Sequence, residues 1–496
     1  RDRFGIKPLY LAELPGGGLL FASELRALLA SGLVERRLHA PALESFLAQG
    51  AVIGDASLVA GVRLLPAGGS LIANWEGQVL EERIKWHPPF RRQRPPREEK
   101  KARGRRVDAV DRLQQTLREV VEVHLRADVE VALFLSGGVD SAAMATLIRE
   151  DSERGLHTIT LGFDVRSLDE GATAAKIASA LGTHHHARRL ASEEFATCLD
   201  EVLGAADQPT VDGFNTWFVS RAARELGLKV VLSGVGGDEL FCGYASFRDV
   251  PRARRLARSL GPLRGVLGLG APLAPWLGGR AALKLAELGE RRPELLELYL
   301  LRRELLLPGE RRALFPPGLG AGVPEDALAR LRREVAGLDP VNQISRFELG
   351  LFLEHRVLRN ADVFSMAHSL ELRVPLLDHV LAEELAPLPA RWKLRWGKRR
   401  PKPLLCDAVG AGLPRAALGP KRGFELPWTA WFRGGLAERA RAALAERATW
   451  QALGCEPEVP LALGERFAAG DPRLPGESML ALVALEDFAR RHELSL

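Results

Sequence analysis

One short stretch, residues 131–149, restricts the fold of this chain more than any other. It reads VALFLSGGVDSAAMATLIR and opens with a continuous apolar run, which is typical of a buried parallel strand. Its last part, from Ser141 to Arg149, is rich in Ala, Leu and Met and predicts a helix. A turn through two glycines into a helix N-terminus presents free backbone N–H groups. The stretch therefore predicts an anion-binding site.

The anion is expected to be a nucleotide phosphate. The loop lacks the lysine that the Walker-type loop requires, so that class of site is excluded. The N–H groups and hydroxyls predicted to hold phosphate belong to Ser136, Gly137, Gly138 and Ser141. Asp140 is predicted to hold a Mg²⁺ ion that rides on the phosphates.

The downstream pattern predicts alternating strands and helices. Strands are expected at 157–163, near His185 and at 229–232, with helices at 170–181 and 214–226. This order predicts an α/β fold with a parallel, doubly wound sheet whose ligands bind beyond the carboxyl ends of the strands. The loops at SGGVDS, at Leu161 and at Ser233 should therefore converge on one crevice.

A second glycine-rich loop, SGVGGDELF, follows the strand at 229–232. Its three glycines suit close approach to a nucleotide, and its acids, Asp238 and Glu239, suit a metal ion. One such loop alone is a weak signal. Two of them at predicted strand ends of one sheet are a much stronger indication of nucleotide chemistry.

The SGGVDS loop resembles the pyrophosphate loop of N-type ATP pyrophosphatases, and both loops together resemble the synthetase domain of asparagine synthetases. Residues 354–379 strengthen this resemblance, since they match the family pattern DxxSMAxSxExRxPFLD at most positions. The resemblance implies an adenine nucleotide α-hydrolase-like fold with a helical C-terminal part. It implies that ATP and Mg²⁺ are used, with Asp140 and Asp238 as metal ligands and catalytic residues. It further implies an adenine and ribose site at Leu135, Leu161, Ser233 and Gly234.

The resemblance also implies a catalytic lysine that contacts the ATP phosphates. Counting back from Leu413-Pro414 places this lysine at Lys402, with Lys398 as the alternative in the same basic cluster. Such a charge would stabilise the transition state and the departing pyrophosphate. A solvated basic loop is the competing interpretation.

Substrate contacts are expected at Gly236, Gly237, Glu239, Glu371 and Arg373. Glu371 and Arg373 lie two residues apart, so an ion pair between them is an equally good interpretation. Val235 departs from the family, because many asparagine synthetases carry an acidic residue at this position. A valine can neither act as a base nor hydrogen-bond an amine, which leaves the acceptor of the reaction open.

The first 86 residues alternate apolar runs with glycine turns and predict short strands. Three of their segments, RDRFGIKPLYL, FASELRALLA and GVRLLPAGGSLIA, resemble part of the α+β, Ntn-type glutaminase domain of class II amidotransferases. That family uses an N-terminal cysteine as nucleophile. Here residue 1 is Arg1 and the first cysteine is Cys198, so glutaminase activity is not expected from this sequence.

Four segments are expected. They are a partial glutaminase domain at 1–86, a Pro-rich charged linker at 87–106, a synthetase domain at 107–440 and a helical extension at 441–496. A nucleic-acid-binding arm is the alternative for 87–106, but the run has little aromatic content. The net charge of +6 is small and scattered, so no nucleic-acid partner is expected.

Composition predicts an ordinary globular protein of the cytoplasm. The chain is 46% apolar and 27% charged, and no membrane association is expected. The four cysteines form no CxxC pair, so neither a zinc site nor a disulfide framework is indicated. His184, His185 and His186 alternate between the faces of a strand and are not expected to chelate one metal. Asp169 and Glu170 are interpreted as first-turn acids of the next helix rather than as catalytic acids.

The expected function is ATP-dependent amide formation. Aspartate would be adenylated and ammonia would then displace AMP to give asparagine, AMP and pyrophosphate, and the enzyme is compatible with a homodimer. The first alternative keeps the adenylation but uses another acceptor, as in β-lactam, sugar or peptide amidation. The second is a nucleotide-binding homologue without turnover. A tRNA-modifying ATP pyrophosphatase is disfavoured, since no basic module is evident.

Overall fold

The computed structural model describes residues 1–90, 99–151, 155–164, 170–261, 279–315, 322–394, 400–419 and 426–496, together with residues 263 and 265. Its elements fall into three successive groups along the chain. The first group lies in residues 1–90 and contains β1 (Tyr10–Glu13), β2 (Leu19–Ala22), α1 (Leu25–Ala30), α2 (Ala40–Gln49), β3 (Val62–Leu64), β4 (Gly69–Ala73) and β5 (Val79–Ile84).

The second group forms an α/β unit. It contains α3 (Glu99–Leu125), β6 (Val131–Phe134), α4 (Val139–Asp151), β7 (His157–Phe163), α5 (Gly171–Leu181), β8 (His184–Leu190), α6 (Ser192–Ala205), α7 (Phe214–Glu225), β9 (Val230–Leu232) and α8 (Gly237–Leu240). Strands and helices alternate as the sequence predicts.

The third group is almost entirely helical. It contains α9 (Ser246–Leu260), α10 (Arg280–Glu290), α11 (Leu295–Arg303), α12 (Pro308–Leu314), α13 (Glu325–Glu334), α14 (Pro340–Phe347), a π-helical segment (Glu348–Leu358), α15 (Arg359–Met366), β10 (Glu371–Arg373), α16 (His379–Leu385), α17 (Ala390–Lys393), α18 (Pro403–Val409), α19 (Trp428–Arg433), α20 (Ala437–Leu444), α21 (Arg447–Ala452), α22 (Glu458–Ala468) and α23 (Gly476–His492).

The central sheet has five parallel strands in the order β10-β9-β6-β7-β8. The chain moves from β6 outward through β7 to β8, and then returns to place β9 on the opposite side of β6. The strand order therefore reverses between β6 and β9. In open parallel sheets this reversal opens a crevice at the carboxyl ends of the two strands. The SGGVDS and SGVGGDE loops both begin at that point.

Helices cover both faces of this sheet, which confirms the predicted doubly wound fold. Alternate residues of β6 point to opposite faces: Ala132 packs with Ala222 and Ala223 of α7, whereas Leu133 packs with Ala142 and other apolar residues of α3 and α4. Strands buried on both faces are continuous apolar runs, which explains the pattern of residues 131–135.

The first group contributes two small antiparallel sheets, β2-β1-β3 and β4-β5. Its helices pack into the same apolar core as α6, α7 and the C-terminal helices. The end of the chain also joins it, because the Leu38 N–H donates to the Ser495 carbonyl at 2.7 Å. None of the described helices combines the length and apolar character needed to cross a membrane. All four cysteines are free thiols.

Three local features differ from the sequence expectation. Helix α3 begins at Glu99, so the last eight residues of the predicted 87–106 linker belong to a helix. Their Lys, Arg and Ala content is compatible with a helix. Residues 91–98 lie outside the described part of the chain. Helix α4 begins at Val139, so Asp140 lies in its first turn. Strand β10 lies within the motif at 354–379, where the sequence predicted no strand. Its three residues are too few to show the alternation of apolar and polar residues that predicts a strand.

A buried polar cluster joins the first group to the α/β unit. Asp207, which follows α6, accepts a hydrogen bond from the Arg26 N–H at 3.2 Å in the first turn of α1. The neighbouring Gln208 side chain donates to the Tyr10 hydroxyl and accepts from the Leu58 N–H, at 3.0 and 2.8 Å. Burial raises the pKa of Asp207 to about 6, although hydrogen bonds from Tyr10 and from the Arg26 N–H favour its charged form.

The cluster predicts a pH-dependent stability difference for Asp207→Asn. The folded protein binds the Asp207 proton more tightly than the unfolded chain does. The stability that this proton contributes to the fold is fully present below about pH 4 and is lost as the pH rises through 6. Relative to wild type, the free energy of unfolding of the variant should rise by about 3 kcal/mol between about pH 4 and pH 8.

Urea unfolding at several pH values measures this difference. The matched control is Asp111→Asn, which changes an exposed aspartate on α3 and should shift stability little at any pH. A difference for Asp207→Asn that stays constant across the pH range would contradict the account of its burial.

Candidate active site

The SGGVDS loop folds tightly around its own hydroxyls. The Ser136 N–H donates to Ser141 Oγ at 3.1 Å, and the Gly138 N–H donates to Ser136 Oγ at 3.2 Å. Helix α4 begins at the next residue, Val139, so its N-terminal N–H groups and dipole end lie at the loop. The loop thus has the backbone geometry of an anion site, and its two serines fix that geometry.

The third N–H of the loop has a partner from another element. The Gly137 N–H donates to Glu170 Oε2 at 3.2 Å, and Glu170 is the N-cap residue of α5. A Cβ placed on Gly137 would lie 3.1 Å from Thr173 Cβ, so the first turn of α5 packs directly on the loop. From the sequence, Glu170 is expected only to be an acid at the start of a helix. Its contact with Gly137 could not be predicted, because the two residues are 33 positions apart and no periodic pattern connects them.

The second loop lies against the first, as the sheet topology requires. A Cβ on Gly234 would stand 2.9 Å from Asp140 Cβ, and one on Gly237 would stand 2.4 Å from Asp140 Oδ1. Both positions therefore need glycine for the close approach of the two loops. Gly236 has a left-handed backbone (φ 96°), and a Cβ there would strike Leu377 at 2.3 Å.

Lys402 joins the two loops across the crevice. Its Nζ contacts the Asp140 carboxylate and lies 2.7 Å from Asp238 Oδ1, although Lys402 is 262 residues away from Asp140 in the chain. Its backbone is left-handed (φ 43°) at the N-cap of α18, a conformation that is uncommon outside glycine. Such strain is retained only where surrounding contacts hold it, and it often marks functional sites.

The electrostatics of Lys402 follow from these contacts. Burial disfavours its charged form, but the adjacent Asp140 and Asp238 carboxylates outweigh burial and raise the pKa of Lys402 above its ordinary value. The lysine is therefore a fixed cation at neutral pH. Gly243 leaves space for the ion pair between Lys402 and Asp238, since a Cβ there would lie 1.8 Å from Asp238 Oδ1 and 2.3 Å from Lys402 Cε.

The two carboxylates also fit a divalent cation. Asp140 and Asp238 both reach the same Nζ, so one small cation can contact both side chains at once. Carboxylate oxygens are the ligands that Mg²⁺ prefers, and Mg²⁺ usually takes only one or two of them from the protein, with phosphate oxygens and water completing its shell. The described residues contain no group of three or more His, Cys, Asp or Glu arranged to hold a metal.

Glu239 is buried within a polar network. Its Oε1 accepts from the Tyr244 hydroxyl at 2.9 Å, and its backbone carbonyl accepts from Ser345 Oγ at 2.7 Å. Burial, followed by the nearby Asp238 and Glu348 carboxylates, raises the pKa of Glu239 to about 7. Glu348 itself contacts Ser246, Tyr299 and Arg303. This network anchors the second loop to the residues packed against it.

The other residues predicted to contact the nucleotide lie at or near the carboxyl ends of the strands. Leu135 follows β6 and is tied to β7, where its N–H donates to the Ile159 carbonyl at 2.9 Å. Ser233 follows β9, and its N–H donates to the Arg373 carbonyl at 2.8 Å. Leu161 is buried within β7, with its side chain in the core that also contains Phe163.

Glu371 and Arg373 form an ion pair on β10. Arg373 Nε lies 2.7 Å from Glu371 Oε1, and the same guanidinium donates to the carbonyls of His124 and Arg126 at 2.7 and 2.9 Å. The pair links the edge strand to the end of α3. The structure thus contains the ion pair that the sequence left open beside a substrate contact.

Two other sequence predictions concern histidines and a second lysine. His186 stacks on His157 of the neighbouring strand and the His184 ring lies tilted beside it, whereas His185 Nδ1 lies 3.0 Å from Thr158 Oγ1. The alternation predicted for consecutive residues is therefore present, and the proximity of His157 was not anticipated because it depends on strand register. Lys398 lies outside the described residues.

Comparisons with known proteins agree on one family. Residues 112–494 match the family model for asparagine synthase, and residues 1–84 match that for the glutamine amidotransferase domain. A Mycobacterium tuberculosis protein named "Putative asparagine synthetase" (glutamine-hydrolyzing) is 34% identical over 446 residues, which are 88% of this chain and 65% of that protein. The chain thus spans slightly less than two thirds of that relative's length.

Two further relatives differ in their printed names. Bacillus subtilis asparagine synthetase 1 (glutamine-hydrolyzing) is 27% identical over 456 residues, or 90% of this chain and 68% of that protein. The Penicillium rubens amidase chyE is 25% identical over 481 residues, or 85% of this chain and 67% of that protein. Relatives of this chain therefore include proteins with different named activities.

The Lys402 contacts predict that Gly243→Ala is destabilising. The added methyl group would clash with both Asp238 and Lys402. Either side chain can relieve the clash only by moving away, which breaks the ion pair between them. We expect the free energy of unfolding to fall by about 1–3 kcal/mol. The matched control is Gly309→Ala on α12, where a Cβ meets nothing within 4 Å. Equal stability of the two variants in urea unfolding would show that the Gly243 contact is looser than described.

Proposed function

The chain belongs to the asparagine synthase family, and we propose that it is an ATP-dependent amide-forming ligase that produces AMP and pyrophosphate. The observation that carries this proposal is the meeting of Lys402, Asp140 and Asp238 where two glycine-rich loops end neighbouring parallel strands. A Walker-type site would place its lysine within the loop itself. Here the lysine belongs to a distant segment, and its Nζ contacts an aspartate of each loop.

In the first step, a substrate carboxylate oxygen attacks the α-phosphorus of ATP. An oxygen–phosphorus bond forms, the bond from the α-phosphorus to the bridging oxygen breaks, and pyrophosphate leaves with its electron pair. The loop N–H groups and the N-terminus of α4 bind the phosphates. Lys402 supplies a fixed positive charge where negative charge develops on the departing oxygen.

Asp140 and Asp238 are the residues that would hold Mg²⁺. When bound, the ion supplies charge neutralisation for the pyrophosphate. The carboxylates themselves keep Lys402 charged and oriented, because both hold its Nζ. Removal of either carboxylate would leave the lysine with a single partner and a wider range of positions.

In the second step, ammonia attacks the carbonyl carbon of the acyl-adenylate. A carbon–nitrogen bond forms, the carbon–oxygen bond to AMP breaks, and the nitrogen loses a proton. Aspartate is the proposed acceptor, with asparagine as product. The names of the mycobacterial and Bacillus relatives support this choice.

A second candidate uses the same adenylation with a different carboxylate. Val235 supports it, because this half-buried valine stands between Gly234 and Gly236 on the second loop and offers no polar group to an amine. The amidase relatives support it as well. Under this candidate, aspartate would fail to stimulate ATP–pyrophosphate exchange while another carboxylate would succeed.

The test is product identity. Purified protein is incubated with ATP, magnesium chloride, ammonium chloride and aspartate, and nucleotides and amino acids are separated by chromatography. We expect AMP, pyrophosphate and asparagine in equal amounts. ADP and inorganic phosphate as the products would contradict the proposed chemistry for either acceptor.

Asp140→Asn is the matched loss-of-function variant. It keeps the shape of the side chain but removes one negative charge, and we expect pyrophosphate release to fall by at least about 100-fold, as for the loss of other electrostatic groups in active sites. Asp111→Asn, which removes the same charge from the exposed face of α3, should retain wild-type activity. Wild-type turnover by Asp140→Asn would show that this loop does not hold the phosphates.

A further inference from the structure

Positive charge is concentrated in one stretch of the chain. Between Asp249 and Glu287 the sequence contains six arginines, one lysine and no acidic residue. Over the whole chain, by contrast, 69 basic residues are nearly balanced by 63 acidic ones. The composition of the whole chain, from which no membrane association is expected, therefore conceals one strongly basic segment.

Helix α9 carries most of these arginines and directs them to one exposed side. Its apolar side is buried in a core shared with α11 and α14, to which Phe247 and Val250 contribute. Arg252, Arg255 and Arg258 follow one another at intervals of three residues, which makes them neighbours on a helix surface, and all three are exposed. The α9 basic face is defined by the four arginines on this side of the helix: Arg248, Arg252, Arg255 and Arg258.

The positive charge of this face is poorly compensated. Helix α9 has one acidic residue, Asp249, and its carboxylate lies 3.1 Å from Arg302 of α11. Within the described part of the chain, Arg252 and Arg258 have no hydrogen-bond or ion-pair partner. Partial burial, followed by the charge of Arg258, lowers the pKa of Arg254, so the arginines of this helix repel one another. An anionic surface would relieve this repulsion.

Exposed leucines beside the arginines favour a lipid surface over a nucleic acid. Leu256 follows Arg255 on α9 and is 43% exposed, and Leu263, just beyond the helix, is 70% exposed. A membrane accepts cations at its headgroups and apolar side chains just below them. A nucleic acid would leave the leucines in water, and α9 has no exposed aromatic side chain on which a base could stack.

We propose that the α9 basic face docks the protein on an anionic lipid membrane. The arginines contact lipid phosphates, and Leu256 enters the boundary between headgroups and acyl chains. Attachment of this kind is peripheral and is weakened by salt, because it depends on exposed charges. Each arginine near an anionic surface strengthens binding about fivefold, and basic clusters of this size on amphipathic helices are typical of proteins that bind anionic lipids. The inference goes beyond the proposed amide-forming chemistry and does not depend on it.

The experiment measures co-sedimentation of the full chain with extruded vesicles at low ionic strength. One set of vesicles contains phosphatidylcholine with about 30 mol% phosphatidylglycerol, and the other contains phosphatidylcholine alone. We expect wild type to bind the anionic vesicles more tightly by about tenfold or more. The double variant Arg252→Gln with Arg258→Gln should bind them roughly 20-fold more weakly than wild type.

Two matched double variants separate this face from general effects of charge. Arg224→Gln with Arg441→Gln removes the same charge from exposed positions on α7 and α20 and should bind as wild type does. Arg252→Lys with Arg258→Lys keeps the charges and should retain binding within about twofold. If the glutamine variant at 252 and 258 fails to fold, Arg258→Gln alone serves, and it should weaken binding about fivefold.

Leu256→Ser distinguishes a lipid surface from a soluble polyanion. The change should weaken binding to the anionic vesicles roughly three- to tenfold, because less apolar surface enters the membrane. Binding of heparin, which offers anionic groups but no apolar layer, should stay unchanged. Equal binding of the vesicles by Leu256→Ser and wild type would contradict the membrane as the occupant of this face.

Four other results would overturn the proposal. They are a wild type that binds neither kind of vesicle, a wild type that binds both equally, a glutamine variant at 252 and 258 that binds as wild type does, and a control at 224 and 441 that weakens binding as much. Wild type that binds a short RNA duplex but not anionic vesicles would assign the face to nucleic acid instead. None of these results bears on the proposed function, which product identity tests separately.

Discussion

The ion pairs of Lys402 with Asp140 and Asp238 are the interaction on which the site depends. They connect three segments that are far apart in sequence: the loop after β6, the loop after β9 and the N-cap of α18. Breaking a buried pair by removing one partner costs far more than the pair contributes, because a charge is left without compensation. The three segments must therefore fold together. Glycines, above all Gly243, leave the space in which their side chains approach each other.

Much of this site could be predicted from the sequence because its parts are local. A buried strand, a glycine turn and a helix are each encoded within about twenty residues, and the parallel topology then brings SGGVDS and SGVGGDE to the same edge of the sheet. Lys402 was harder, since no periodic pattern connects residue 402 with residue 140. Its predicted role rests on a resemblance to a family motif, and the structure shows that its Nζ contacts Asp140 and Asp238.

Other features could not be predicted because they depend on tertiary contacts. The Glu170 contact with Gly137 requires knowledge of how α5 packs on the loop. The surroundings of Glu239 also depend on distant residues, because the Tyr244 hydroxyl donates to it and the Glu348 carboxylate helps to raise its pKa. The Asp207 cluster, which joins residues 1–90 to the α/β unit, likewise depends on packing between distant segments.

The central claim is that a carboxylate is adenylated between these two loops. Carboxylate substrate labelled with ¹⁸O tests it most directly, because attack on the α-phosphorus leaves a substrate oxygen on the nucleotide when the amide forms. We expect one ¹⁸O atom in each AMP molecule, read as an isotope shift of its ³¹P resonance, for whichever carboxylate supports turnover. Label in inorganic phosphate, or AMP without label, would contradict adenylation.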